Sequence, residues 1–471
     1  MSADWPVVRL GDFCAKVGSG STPNGGANVY IEQGDICLIR SQNVHNDGFK
    51  PNGLVYITQE SADKLKNVVV EENDILLNIT GDSVARVCLA KNEYIPARVN
   101  QHVAIIRPDP EKFDSRYLRY LLVSPTVQDL LLSIASIGAT RNALTKGMIE
   151  SLEVCKPPIS IQKSIADNLE ILDLKIDINT QTNQTLEAIA QAVFKSWFVD
   201  FEPVKAKMAV LEAGGTAEEA ECVAICAISG KDKAALIRLQ TEQPDAYAEL
   251  AQTAALFPVA MQDSELGEIP EGWNTQDFSK FAQNVRESIK AENTKDHEIY
   301  IGLEHIDRIS LTLRRWGSGG DIGSNKSAFI KGDVLFGKLR PYFHKVSIAP
   351  INGICSTDIL VIRPKRSFYS AFVILQTFSP NFVEHANLRS TGTRMPRASW
   401  NDMANYVIAS PNNDDVFLKF NKRINPLLNS LSVINSESIT LAELRDNLLP
   451  KLLSGEIDLS QAVKVTDEVS V

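Results

Sequence analysis

The sequence predicts an α+β chain built as a tandem repeat: two mixed α/β units of roughly 150 residues, each closed by one long helix. The first observation behind this is an ordered series of echoes. Ile105-Ile106-Arg107-Pro108 returns as Val361-Ile362-Arg363-Pro364, Glu72-Asn73-Asp74-Ile75-Leu76-Leu77 as Lys331-Gly332-Asp333-Val334-Leu335-Phe336, Gly138-Ala139-Thr140-Arg141 as Gly392-Thr393-Arg394, and Pro157 as Pro411. The offset stays between 253 and 259 residues throughout, which marks a duplication rather than chance. The second is that both units show strand-and-turn signals followed by a short helical pattern. The third is a heptad pattern in each closing segment.

The elements follow in order. The first unit, 1–157, holds short runs such as Asp35-Ile36-Cys37-Leu38-Ile39 broken by Gly, Pro, Asn and Asp, then a helix candidate from Ser115 to Leu132. The first long helix, 158–202, places Ile165, Leu169, Leu172, Ile176, Asn179, Asn183, Leu186, Ala190, Val193 and Trp197 in alternating steps of four and three. A stretch at 203–262 is acidic and carries 15 alanines between 206 and 260. It reads as a helical hairpin acting as a spacer, with breaks at Gly214-Gly215, Gly230 and Pro244. The second unit, 263–411, repeats the first, with its helix candidate from Ser370 to Ala386. The second long helix, 412–459, places Phe417, Phe420, Ile424, Leu427, Leu431, Ile434, Ser438, Leu441, Arg445, Leu448 and Leu452 on the same kind of seam. A 3.5-residue period over several heptads indicates a coiled coil, and Asn183 and Ser438 interrupt both seams at one place. Pro426 should break or kink the second helix. Two unconnected amphipathic core helices are the plainer alternative. A flexible tail, 460–471, completes the chain.

Composition limits the function. Of 471 residues, 44% are hydrophobic, normal for packed globular protein, and no window nears the ~18 unbroken apolar residues of a membrane span. Met1 to Pro6 lacks a signal-peptide pattern, and seven scattered cysteines read as reduced thiols, so a cytoplasmic protein is expected. The net charge of −10 is uneven: −2 over 1–157, −8 over 158–264, +3 over 265–411 and −3 over 412–471. The acidic excess lies in helical segments, which leaves the two globular units free to carry basic faces.

Catalytic motifs fail when tested. Gly332 to Lys338 has the spacing of a phosphate loop, but Leu339 stands where a Mg²⁺-binding Ser or Thr is needed. Cys222 and Cys226 have no second ligand pair for zinc. No HExxH, no Asn/Asp-Pro-Pro-aromatic tetrad and no glycine-rich AdoMet loop occurs, and Pro108-Asp109 lacks the rest of a nuclease motif. Metal and cofactor sites are therefore not expected in this chain, and it reads as a non-enzyme.

The loops offer side chains suited to DNA instead. Arg and Lys read guanine, Asn and Gln read adenine, and hydroxyls and Lys grip phosphate. Candidates are Thr22, Arg40, Asn43, Asn78, Arg86, Gln101, His102 and Arg141 in the first unit. In the second they are His305, Lys338, Arg340, Tyr342, Lys345, Thr357, Arg394 and Arg397. Ordinary loop polarity explains any single one as well; Lys338–Lys345 and Thr391–Arg397 stand out, because basic groups interleave with Tyr342 on Pro-stiffened segments.

Longer phrases carry a resemblance. Trp5…Leu10-Gly11-Asp12, Asp74-Ile75-Leu76, Ala192-Val193-Phe194-Lys195-Ser196-Trp197-Phe198-Val199-Asp200-Phe201, Ile269-Pro270-Glu271-Gly272-Trp273, Ile362-Arg363-Pro364 and Leu448-Leu449-Pro450-Lys451-Leu452-Leu453-Ser454-Gly455-Glu456-Ile457 occur in that order. The chain resembles, over almost its whole length, the specificity subunits of type I restriction–modification systems. The resemblance implies two target-recognition domains in tandem repeat, separated by two long helices that form an antiparallel coiled coil. Each domain would read one half of a split double-stranded DNA sequence. It further implies two methyltransferase (modification) subunits that methylate adenine with AdoMet, and two restriction subunits that use ATP and Mg²⁺. All these cofactors would sit in the partners. The helix-end residues Phe194, Trp197, Phe198, Leu448 and Leu452 are expected at partner contacts. Two rivals stay open: a free-standing duplicated DNA-binding regulator, and a helical scaffold that does not touch DNA.

Overall fold

The repeated phrases fold into repeated strands in the computed structural model, which describes residues 5–136, 142–293, 298–320, 323–392 and 395–457. Cys14–Ser19, Val103–Pro108, Ile75–Asn78 and Val87–Leu89 lie side by side in that order, all antiparallel. Ala282–Val285, Ile359–Pro364, Val334–Gly337 and Val346–Ile348 form the same sheet in the same order. Each half also has a β-pair joining its start to its exit, Val7–Arg9 with Glu153–Cys155 and Trp273–Asp277 with Val407–Pro411. A second sheet completes each half. It has four strands around Ile36–Ile39 and Ala97–Val99 in the first, and five around Gly353–Cys355 in the second. The α+β class expected from the sequence is the class observed.

The repeated Ile-Arg-Pro phrase has a chemical reason. Arg107 donates from Nε to Asp74 Oδ1 at 2.7 Å and from Nη2 to Asp74 Oδ2 at 2.8 Å. Arg363 does the same to Asp333, with both bonds at 2.7 Å. Both aspartates are buried, and each also accepts a backbone N–H at the turn before its own strand, from Glu71 or Ile330. The fork thus locks two neighbouring strands in register and satisfies a carboxylate that has no water.

Where one helix was expected after the sheets, each half has two. Ser115–Val123 and Pro125–Ser136 match Ser370–Phe378 and Pro380–Leu388. The breaks fall at Ser124-Pro125 and Ser379-Pro380, because proline supplies no N–H for a continuing helix but fits the first turn of a new one. The Ala-rich stretch forms four helices, Glu202–Glu212, Ala217–Ser229, Lys233–Glu242 and Pro244–Ala254, rather than a hairpin of two. The breaks lie at the expected glycines and proline, with Gly230 left-handed as a C-cap. Ala224, Ile225, Ile228, Leu236 and Ala254 join the core of the second half, so this stretch is packed structure.

Two long helices close the halves, α1 at Ile159–Phe198 and α2 at Asp415–Leu453. Pro426 does not break α2. It sits on the exposed side, while Ile424, Leu428 and Leu431 are buried and hold the helix through the missing hydrogen bond. The chain divides into two compact units, Met1–Lys175 with Leu441–Val471, and Ile176–Thr440. Each helix therefore serves both. In the first unit Arg445 of α2 donates to Asp173 of α1 at 2.7 Å, and Leu169 shares a core with Leu449 and Leu452. In the second unit Asn179 donates to Glu437 at 2.8 Å, and Trp197 meets Phe420 with ring centroids 5.5 Å apart. As the number on α1 rises, its partner on α2 falls, so the pair is antiparallel. Among the described residues no helix is long and apolar enough to cross a membrane. The tail 460–471 lies outside the described residues.

Beside the polar interruption of the seam lies a face that the heptads do not show. Within the second unit, loop 310–314 seats on it: Glu187 accepts the Leu311 N–H at 2.9 Å, Arg314 donates to Thr180 at 3.0 Å, and Asn435 donates to the Leu313 carbonyl at 2.9 Å. Burial pushes the Glu187 carboxyl up to about 7, against the opposing pull of the Leu311 N–H and Arg314. The folded chain thus holds a proton at Glu187 between pH 4.5 and about 7 while the unfolded chain ionises. Stability should fall as pH rises through that window, by up to about 3 kcal/mol, and level off above it. Glu187→Gln should flatten this slope in denaturant midpoints taken at pH 5 and pH 8. An unchanged slope would assign the dependence to other groups.

Candidate nucleic-acid interface

In each half, loops that leave the strand ends of the first sheet converge. In the first unit Gly20 and Ser21 bond Val103 and Val99, and Thr80 bridges Ala143. Gly20 is obligatory there, because a Cβ would lie 2.1 Å from the Asn100 carbonyl. Thr80 Oγ1 meets His102 Nδ1 at 2.6 Å, and Gln101 Nε2 lies 3.3 Å from His102 Nε2. These three side chains form one polar row with Gln101 exposed. Arg40 donates to the Gly53 carbonyl at 2.5 Å and lies 5.6 Å from the Tyr30 ring, a loop-holding role. Thr22 and Arg86 are half-buried at the rim.

Two first-half candidates are corrected. Asn43 and Asn78 are both fully enclosed. Asn43 accepts the Arg40 N–H and donates to the Lys50 carbonyl at 2.9 Å, while Asn78 donates to the Ser41 carbonyl at 2.8 Å. They shape the loop from within and present nothing to a duplex. A buried turn-holding Asn and an exposed base-reading Asn look alike in sequence.

In the second unit three loops are stitched together. Lys338 N donates to the Asp358 carbonyl, Ala398 N to the Lys338 carbonyl, and Arg340 N to the Pro396 carbonyl at 2.7 Å. Lys338 is half-exposed; Tyr342 and Thr357 are exposed. Arg397 is exposed but shared with Asp358, Nε to Oδ1 3.1 Å. Lys345 donates to the Leu303 carbonyl at 2.6 Å, and burial foremost lowers its pKa, so it anchors rather than probes. His305 accepts the Gly302 N–H at 2.9 Å, and burial holds its imidazole below the ordinary value. It too is a scaffold group. Arg340 is left-handed, with its guanidinium 5.9 Å from the Phe343 ring. Arg141 and Arg394 lie outside the described residues. Sequence reading missed Arg308, whose guanidinium stands 3.8 Å over the Phe343 ring. It lies only three residues beyond the candidate His305.

Comparison with known proteins points the same way as the sequence resemblance. The model of the "Type I restriction modification DNA specificity domain" matches residues 2–188. The HindI specificity subunit of Haemophilus influenzae is 28% identical across 97% of this chain and 100% of its own length. The MjaIX specificity subunit of Methanocaldococcus jannaschii is 24% identical across 97% and 94%. Over nearly its whole length the chain is similar to type I restriction–modification specificity subunits. The crystal structure of such a subunit from M. genitalium covers 95% of the chain at 13% identity with a TM-score of 0.49.

The expected partner contacts need correcting. Phe194, Trp197 and Phe198 are buried in an aromatic cluster with Phe372, Phe417 and Phe420. Leu452 is buried in the first unit's core and Leu448 packs against it. The helix-end phrases that carry the resemblance are core residues, because helix ends that carry a domain need large apolar anchors. What the end of α1 leaves open is a cleft of about 440 Å³ in the second unit, rimmed by Gln191, Lys195, Val199 and Leu266.

Proposed function

We propose that the two loop clusters, in target-recognition domains at 1–157 and 263–411, each read one half of a split double-stranded DNA sequence. The chain then directs adenine methylation and restriction by partner subunits in the cytoplasm. The observation that carries this reading is the duplication. The same four-stranded sheet, in the same strand order, bears converging loops at equivalent places in both halves. One chain with two related readers fits a target with two parts. In the first half Gln101, Thr80 and His102 supply the polar edge; in the second, Lys338, Thr357, Tyr342 and Arg397 do so. Two modification subunits, supplying AdoMet, would dock along the helix pair, and the open rim at Lys195 and Val199 offers one contact. Two restriction subunits would bring ATP and Mg²⁺.

The test is reconstitution. The chain mixed with AdoMet should transfer no methyl group, whereas addition to its modification subunits should give adenine methylation at a split motif. Its DNA affinity should fall steeply with salt, since each neutralised phosphate releases counterions. Methyl transfer by the isolated chain, or a complex whose DNA binding ignores salt, would overturn the reading.

A further inference from the structure

Backbone strain among the described residues is concentrated in one place. Six non-glycine residues have a left-handed backbone, and three of them, Ile309, Arg340 and His344, belong to a single tip of the second unit. A β-branched residue such as Ile309 avoids that region strongly, and such strain persists only where surrounding structure enforces it. The enforcement is visible. Ile309 N donates to the His344 carbonyl at 2.9 Å, Arg340 N is fixed to Pro396, and His344 Nε2 bonds the Phe378 carbonyl at 2.9 Å. The result is a rigid projection whose outer residues are Ile309, 69% exposed, and Tyr342, 53% exposed.

Arg308 is the polar group of that projection. It is exposed, and its guanidinium lies 3.8 Å from the centroid of the Phe343 ring. Neighbouring arginines are committed elsewhere, Arg315 to Asp307 at 3.0 Å and Arg397 to Asp358. Among the described residues no carboxylate forms an ion pair with Arg308. Stacking on an aromatic face restrains a guanidinium and leaves its edge N–H groups unused. That is the state in which a planar fork costs little further order when it meets two acceptors on one plane.

We infer that Arg308, braced by Phe343 on this strained tip, reads a guanine through its O6 and N7 edge in the half-site recognised by the second domain. This rests on the reading of the chain as the reader of split DNA. Bidentate contact from arginine is the commonest specific pairing in the major groove. Ile309 and Tyr342, on either side, supply apolar surface against neighbouring bases, and they require no positive charge to be neutralised.

The experiment uses the full chain with its modification subunits, scored by methylation of a library of DNA sites. Arg308→Ala should lose discrimination at one base pair of one half-site, roughly ten- to a hundred-fold. The other half-site, the spacer and the salt slope should stay as in the parent. Arg308→Lys should fail to restore discrimination, because an ammonium cannot reproduce the fork. Phe343→Leu should give a smaller loss at the same base pair. An unchanged motif in Arg308→Ala overturns the inference. So does uniform weakening across all sites that Arg308→Lys rescues, which marks a phosphate contact. If the parent complex itself shows no split motif, it is the functional reading that fails, and the two failures are separable.

Discussion

Arg363→Ala is expected to destabilise the second unit by about 3–5 kcal/mol. The substitution removes both side-chain donors from Asp333, a carboxylate 1% exposed at the turn before the strand Val334–Gly337. The Ile330 N–H remains but cannot carry a buried charge alone. For a unit of this size the thermal midpoint should drop by about 10 °C. A paired replacement, Asp333→Leu with Arg363→Met, should recover most of the loss, because exchanging a whole buried ion pair for apolar groups is often neutral. Thermal unfolding of the three variants checks this. A loss under 1 kcal/mol in Arg363→Ala would show that the fork is incidental. Arg107→Ala should act alike on the first unit, where Asp74 is equally enclosed.

The second large effect concerns the helices. One heptad inserted in α1 between Lys175 and Ile176, matched by one in α2 between Thr440 and Leu441, keeps both seams in register. These positions are where the two compact units divide, and they leave the Glu187–Leu311 and Asp173–Arg445 contacts intact. Each helix grows by about 10 Å at ~1.5 Å per residue. The unread spacer should lengthen by about three base pairs at ~3.4 Å each, with both half-sites unchanged. Two residues inserted in α1 alone should rotate the seam and abolish methylation. Methylation mapping of the matched insertion distinguishes the outcomes. An active variant with the parental spacing would show that the helix pair does not set it.

Much of the fold was legible because it is periodic or repeated. The Ile-Arg-Pro echo located the central strand of both sheets, and the four-three alternation located α1 and α2. What stayed hidden depends on partners distant in sequence. Asp74 and Asp333 read only as members of a repeated phrase, yet each is the buried partner of an arginine some 30 residues away. Asn179 stands on the seam like a flaw, yet it holds the neighbouring helix, and Asn435, off the seam, holds a loop. Pro426 reads as a break, but local rules lose to a well-buried face. The interface was least legible. Loop composition drew attention to Lys338–Lys345 and Thr391–Arg397, but whether a polar loop residue faces out, as Thr357 does, or holds its own loop, as Asn43 does, is decided by tertiary packing.

The central claim is that this chain, and no other component, chooses a two-part DNA target. Sequencing of methylated adenines in cells with and without the chain tests it most directly. The account predicts one split motif that disappears when the chain is removed and returns, with the same two half-sites and spacing, when it is restored. Persistence of the motif without the chain, or dependence on it of a continuous motif only, would contradict the account.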